Sequence, residues 1–152
     1  MVLELFSDGL CEPVNPGGTA IWAFVARRGG EVVHRASGVL GSGRAMSSNF
    51  AESYAALSAL RWAVEAAPGE PVVLRSDSEF VVKAALGGAR AGEVETGVVV
   101  EALERLFRPL HEIGVARIVW IPRTLNHEPD KLTWDLYLEV DGRKPRYGPR
   151  AG

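Results

Sequence analysis

Short apolar runs alternate along the chain with longer stretches of mixed polarity, and this alternation predicts its elements. Val2 to Ser7 is apolar and β-compatible, and it stops at Asp8-Gly9, a pair that favours turns. The following loop, Leu10 to Gly18, carries Asn15-Pro16-Gly17-Gly18 and leads straight into Thr19 to Arg27, a second strand rich in aromatic and β-branched residues. Arg28-Gly29-Gly30 is a tight connection to a hairpin partner, Glu31 to Leu40. Gly41-Ser42-Gly43 reads as a flexible exit. Its spacing is wrong for a phosphate loop, and no Gly-Lys-Ser/Thr follows.

The period then changes. Ser47-Ser48-Asn49 supplies N-cap candidates for a helix over Phe50 to Ala66, which Pro68-Gly69 ends. Pro71 to Ser76 is a short apolar run of the buried-strand type, closed by Asp77-Ser78. Glu79 to Leu86 continues as a short helix, and Gly87 to Gly92 is a break. Val99, Leu103, Leu106, Leu110 and Ile113 recur at helical spacing, which predicts a helix over Val98 to Ile113 with a kink at Pro109. Val115 to Ile121 is a fifth strand, Pro122 to Leu125 a loop, and Asn126 to Val140 a last helix that tolerates Pro129 in its first turn.

The order β-β-β-α-β-α-α-β-α predicts an α/β fold with a mixed five-stranded sheet flanked by helices. The right-handed crossover rule makes the first, fourth and fifth strands parallel neighbours, and the antiparallel three-strand meander extends the other side. No internal repeat is visible. The chain is expected to form a single domain over residues 1–140, followed by a flexible basic tail at 141–152 carrying Arg143, Lys144, Arg146 and Arg150.

This topology gives four acidic residues a common address. Two strands end in a carboxylate, Asp8 and Asp77, and parallel pairing brings those ends together at the edge where open α/β sheets bind ligands. The first long helix contributes Glu52, on one face with Ala55, Ala56, Ala59, Leu60 and Ala63, and the last helix contributes Asp130 near its start. Taken singly, Asp8 could merely open a turn and Glu52 merely complement a helix dipole. Taken together, ionised carboxylates in one place need a counter-charge, and hard oxygen-ligated cations supply it. Mg²⁺ fits, with Mn²⁺ as a substitute. Two such ions about 4 Å apart would support phosphodiester hydrolysis. His34, His111 and His127 are scattered and expected to be surface or packing residues.

Composition narrows the picture without changing it. With 152 residues, 47% hydrophobic and 24% charged, the chain is ordinary globular material rather than disordered. A net charge of -2 means that any nucleic-acid surface must be a local patch. Cys11 is the one cysteine, so no intramolecular disulfide forms, which favours a reducing compartment. No run suits a bilayer span, and the N-terminus lacks a signal-peptide pattern. A cytoplasmic monomer is expected, without membrane contact or an obligate protein partner.

At this point the residues resemble a known family. Ser7-Asp8-Gly9 with Asn15-Pro16-Gly17, Ser48-Asn49-Phe50-Ala51-Glu52, Ser76-Asp77-Ser78, and Asn126-His127-Glu128-Pro129-Asp130-Lys131-Leu132 resemble, in order, the motif blocks of type 1 ribonuclease H. The resemblance implies the RNase H-like sheet, two Mg²⁺ ions, and cleavage of the RNA strand of RNA–DNA hybrids to leave 5′-phosphate and 3′-hydroxyl ends. It makes Asp8, Glu52, Asp77 and Asp130 the metal-binding catalytic carboxylates. The implied substrate-binding positions are Gly9, Cys11, Asn15, Ser48, Asn49 and Ser78, with the Asn15 and Asn49 amides in the minor groove. There are departures. Ser48 stands where the family often has Asn, and Glu79 where it often has Gln. Trp120 occupies the position of a mobile loop histidine in many members, and the stretch Gly87 to Gly97 lacks a basic, Trp-bearing protrusion. These departures leave open a non-catalytic nucleic-acid or protein binding module of the same fold, or a related nuclease with another preference.

Overall fold

A computed structural model describes residues 2–140. The basic stretch 141–152, and with it the expected flexible tail, lies outside the described residues. The elements are β1 (Leu3–Glu12), β2 (Gly17–Arg28), β3 (Glu31–Gly43), α1 (Ser48–Ala66), β4 (Val72–Ser76), α2 (Glu79–Ala85), α3 (Val94–Glu112), β5 (Ala116–Trp120) and α4 (His127–Val140), with a single 3₁₀ turn at Arg123–Leu125 before α4. They form a five-stranded sheet in the order β3-β2-β1-β4-β5. β1 pairs antiparallel with β2 and parallel with β4, and β4 pairs parallel with β5. The expected meander plus parallel strands is therefore the observed sheet.

β1 is the central strand, and its residues divide between two cores. Leu3 and Leu5 face α1 and α3 and join Leu60, Leu74, Leu103 and Phe107 in the larger core. Leu10 faces the opposite way and packs with Ile21, Trp134 and Tyr137 beneath α4. Side chains alternate across a strand, so Asp8 shares the Leu10 side while Ser7 and Gly9 share the α1 side.

The expected turn at Asp8-Gly9 is not there. β1 runs through both residues to Glu12, with Asp8 opposite Ala23 and Gly9 opposite Trp22. Pairing with β4 stops at Ser7↔Ser76, while pairing with β2 continues to Glu12↔Thr19. Tertiary pairing overrides the local turn preference. Gly9 is needed for close approach instead: a Cβ there would run into the Ala51 carbonyl carbon of α1. Gly41 to Gly43 is likewise strand rather than flexible exit, pairing with Ala20, Thr19 and Gly17.

α1 begins at Ser48, capped by Ser47, whose side chain accepts from the Phe50 amide. α3 starts at Val94, a full turn earlier than the apolar repeat predicts. Buried Thr96 occupies the missing core position, and its hydroxyl hid the repeat. Ile113, expected in that stripe, is 72% exposed beyond the helix end. Pro109 falls in the last turn of α3, and the helix runs on through it to Glu112. Arg27 holds the start of α4 against β2 through a two-pronged pair with Glu128, at 2.7 and 2.8 Å.

Candidate active site

The site lies at the C-terminal end of β4, where its pairing with β1 stops. Asp8 and Asp77 reach it from adjacent parallel strands, and Glu52 reaches it from the first turns of α1. One carboxylate oxygen from each lies within 4.8 Å of the others. The sequence placed these groups together, and the structure does so. Asp8 is buried and Asp77 partly exposed. Asp130 is not in this trio. It is buried at the start of α4 and lines, with Glu52, a cavity of about 170 Å³.

Backbone and amide groups hold the carboxylates in place. The Gly9 amide donates to Glu52 Oε1, which the close β1–α1 contact makes reachable. Asn126, just ahead of α4, donates Nδ2 to the Ser7 carbonyl at 2.8 Å and to Asp77 Oδ2 at 3.1 Å. Burial pushes the Glu52 carboxyl well above the usual carboxylate range, and the charges of Asp8 and Asp77 push it further, while the Gly9 amide pulls the other way. Glu52 thus retains its proton more readily than a solvated glutamate.

The donor set fits a hard divalent cation: three carboxylate oxygens converge, with no imidazole or thiol among them. None of the histidines joins it. His34 stacks on Trp62 at 4.6 Å, His111 donates to the Ala116 carbonyl at 3.0 Å, and His127 opens α4.

The implied substrate-binding residues divide. Gly9, Cys11, Asn15, Ser48 and Asn49 line the cavity with Glu52 and Asp130. Cys11 is buried and its thiol donates to the Val14 carbonyl, so only the rim it builds is offered to a ligand. Asn15 and Ser48 hold one another: Asn15 Nδ2 donates to Ser48 Oγ at 2.7 Å, and the Ser48 amide donates back to Asn15 Oδ1 at 3.0 Å. Asn49 is exposed beside them. Ser78 stands apart, its hydroxyl spent capping α2 by accepting from the Val81 amide at 3.2 Å.

Some site residues escape sequence reasoning. Asn126 is one: it sits one helical turn before Asp130, a spacing that would have flagged it, but its contact with Asp77 across the sheet edge is not local. Arg123 brings a cation to the cavity wall from the 3₁₀ turn, and fully buried Glu12 lines the same wall.

This architecture is the RNase H fold. The chain resembles RNase H1 from the archaeon Halobacterium salinarum NRC-1 with a TM-score of 0.73 and 22% identity, covering 94% of this chain and 100% of that one. It resembles the N-terminal RNase H domain of a Mycobacterium tuberculosis protein with a TM-score of 0.70 and 22% identity, covering 89% and 98%. LC11-RNase H1, solved in complex with an RNA/DNA hybrid, matches with a TM-score of 0.68 and 24% identity over 86% and 92%. No protein-family model matches the chain. Among the described residues no helix is long and apolar enough to cross a membrane.

Proposed function

We propose that the chain is a metal-dependent endoribonuclease that hydrolyses the RNA strand of RNA–DNA hybrids, leaving 5′-phosphate and 3′-hydroxyl ends. The observation that carries this reading is the convergence of Asp8, Glu52 and Asp77 within 4.8 Å at one sheet edge. Such crowding is costly without a cation. A structural relative bound to an RNA/DNA hybrid supports the choice of substrate.

Asp8, Glu52 and Asp77 would hold two Mg²⁺ ions, with Mn²⁺ as a substitute, and Asp130 would close the set from α4. When bound, such ions supply the positive charge that makes a water nucleophilic and offsets charge on the leaving oxygen. The chain's own groups do the rest. Asn126 fixes Asp77, and the Gly9 amide fixes Glu52, so neither carboxylate has to be ordered during the reaction. Glu52, whose carboxyl is held above the usual range by burial, would bind such ions in its ionised form. Arg123, on the cavity wall, offers a guanidinium to a phosphodiester. Exposed Asn49 presents an amide that can donate to and accept from a 2′-hydroxyl, the group that distinguishes RNA from DNA. Asn15 backs it, already held by Ser48.

The test is a gel assay on labelled RNA–DNA hybrid, duplex DNA, duplex RNA and single-stranded RNA, with Mg²⁺, with Mn²⁺ and with chelator. Cleavage confined to the hybrid RNA strand and lost in chelator is the expected result. Binding without cleavage under every metal would make the chain a non-catalytic module instead.

A further inference from the structure

A second surface adjoins the carboxylates on the side away from Asn15 and Asn49. Trp120 ends β5, beside Ser76 at the end of β4. Its indole Nε1 donates to the backbone carbonyl of Asp77 at 3.1 Å. That bond fixes the ring, which is nevertheless 49% exposed. Among the four tryptophans it alone is an exposed large hydrophobic residue. Trp22, Trp62 and Trp134 belong to core clusters or pack against them. The Trp120 ring forms one wall of an open groove whose other walls are Glu79, Val82 and Lys83 of α2.

An exposed indole held by a backbone bond is pre-ordered, so little conformational entropy is lost when a ligand covers it. An aromatic face with a neighbouring ammonium suits a nucleic-acid strand, since the ring takes the apolar side of a sugar or base and the cation takes a phosphate. The groove lies beside the candidate active site, because Asp77 belongs to the carboxylate trio and also carries the carbonyl that anchors the ring.

Resting on the reading of the site as a hybrid nuclease, we propose that Trp120 and Lys83 form a substrate subsite that grips the nucleic acid on the far side of the carboxylates from Asn49. Glu79 weakens this grip, because it brings a negative charge to a groove that holds phosphate. The hybrid is thereby contacted on both sides of the reacting phosphodiester.

The experiment measures hybrid affinity in chelator by fluorescence anisotropy and by tryptophan quenching, with cleavage measured separately in Mg²⁺. Trp120→Ala should weaken binding at least about fivefold, the lower end for loss of one aromatic stack on nucleic acid. It should also abolish most of the quenching that hybrid causes. Trp120→Phe loses the bond to Asp77 but keeps a ring, and should bind within about twofold of the parent, on the principle that the ring carries the contact. Lys83→Ala should weaken binding and lower its salt dependence, whereas Glu79→Gln should tighten it or leave it unchanged. Thermal melts accompany each variant. A Trp120→Ala protein that melts normally, binds hybrid as the parent does and loses only turnover would overturn the proposal and make Trp120 a prop for Asp77. So would equal losses in Trp120→Ala and Trp120→Phe. If the parent itself neither binds nor cuts hybrid, the nuclease reading fails first; if the parent cuts and all these variants bind equally, only the subsite fails.

Discussion

Replacing Glu52 by Gln tests directly whether the acidic cluster is strained for function. Gln keeps the length and shape of the side chain, its oxygen can still accept from the Gly9 amide, and its NH₂ can donate to Asp8. The charge alone is removed. Two like charges at 4.8 Å, the widest separation in the trio, repel by about 3.5 kcal/mol at an effective dielectric near 20, and partial exposure of Asp77 lowers that figure. A net gain of about 1–2 kcal/mol in the chelated protein follows, within the usual range for a function-for-stability exchange. For a domain of this size that raises the melting temperature by about 2–8 °C. The gain has a defined pH dependence. The folded protein raises the Glu52 pKa, so a protonated Glu52 costs nothing at low pH, and the penalty grows as pH rises from the unfolded value towards the raised one. The assay is a set of melts from pH 4 to pH 8, with and without Mg²⁺. In chelator the variant should match the parent near pH 4 and exceed it increasingly above. With Mg²⁺ the parent should recover while the variant gains little, and the variant should not cleave. A variant less stable than the parent at every pH would refute the reasoning and make Glu52 a structural residue.

The other predictions concern groups around that cluster. Asn126→Ala strips a donor from the buried Ser7 carbonyl and from Asp77, so it should cost about 1–3 kcal/mol in melts and also slow cleavage at saturating Mg²⁺. Glu128→Gln breaks the pair with Arg27, whose two groups are about a third exposed, so the loss should be only about 0.5–1 kcal/mol. The Arg27 hydrogen bonds hold the Glu128 carboxyl below its usual range, so this contribution is present at neutral pH and should vanish as acid protonates the group, the opposite slope to Glu52. Asn49→Ala should slow cleavage of a DNA duplex bearing a short ribonucleotide run and flatten its dependence on run length, as read on a sequencing gel. Asn15→Ala should cost more on that assay than Ser48→Ala, because the Ser48 backbone amide still donates to Asn15 Oδ1 in the latter, and the double variant should be no worse than Asn15→Ala.

The sequence by itself determined the element order, the mixed sheet and the meeting of Asp8, Glu52 and Asp77 in one place. Those are properties of local period and of chain topology: a strand keeps period two, a helix period 3.6, and a right-handed crossover joins parallel neighbours, so Asp8 and Asp77 fall together, one residue beyond the last β1–β4 pair. Tertiary structure decided whatever depended on a second element. Asp8-Gly9 has the local chemistry of a turn, yet β2 on one side and α1 pressing on Gly9 keep it extended. Thr96 looks like an interruption of an apolar stripe and is buried in it. Asn15 looks like a free amide and is held by Ser48 on another element. Asn126 and Trp120 lie far from Asp77 in sequence, and both bond to it at the sheet edge. Periodicity reports which face a residue takes within its own element. Which partner it meets there depends on how the elements pack, and the orientation of Asp77 and the height of the Glu52 pKa depend on those partners.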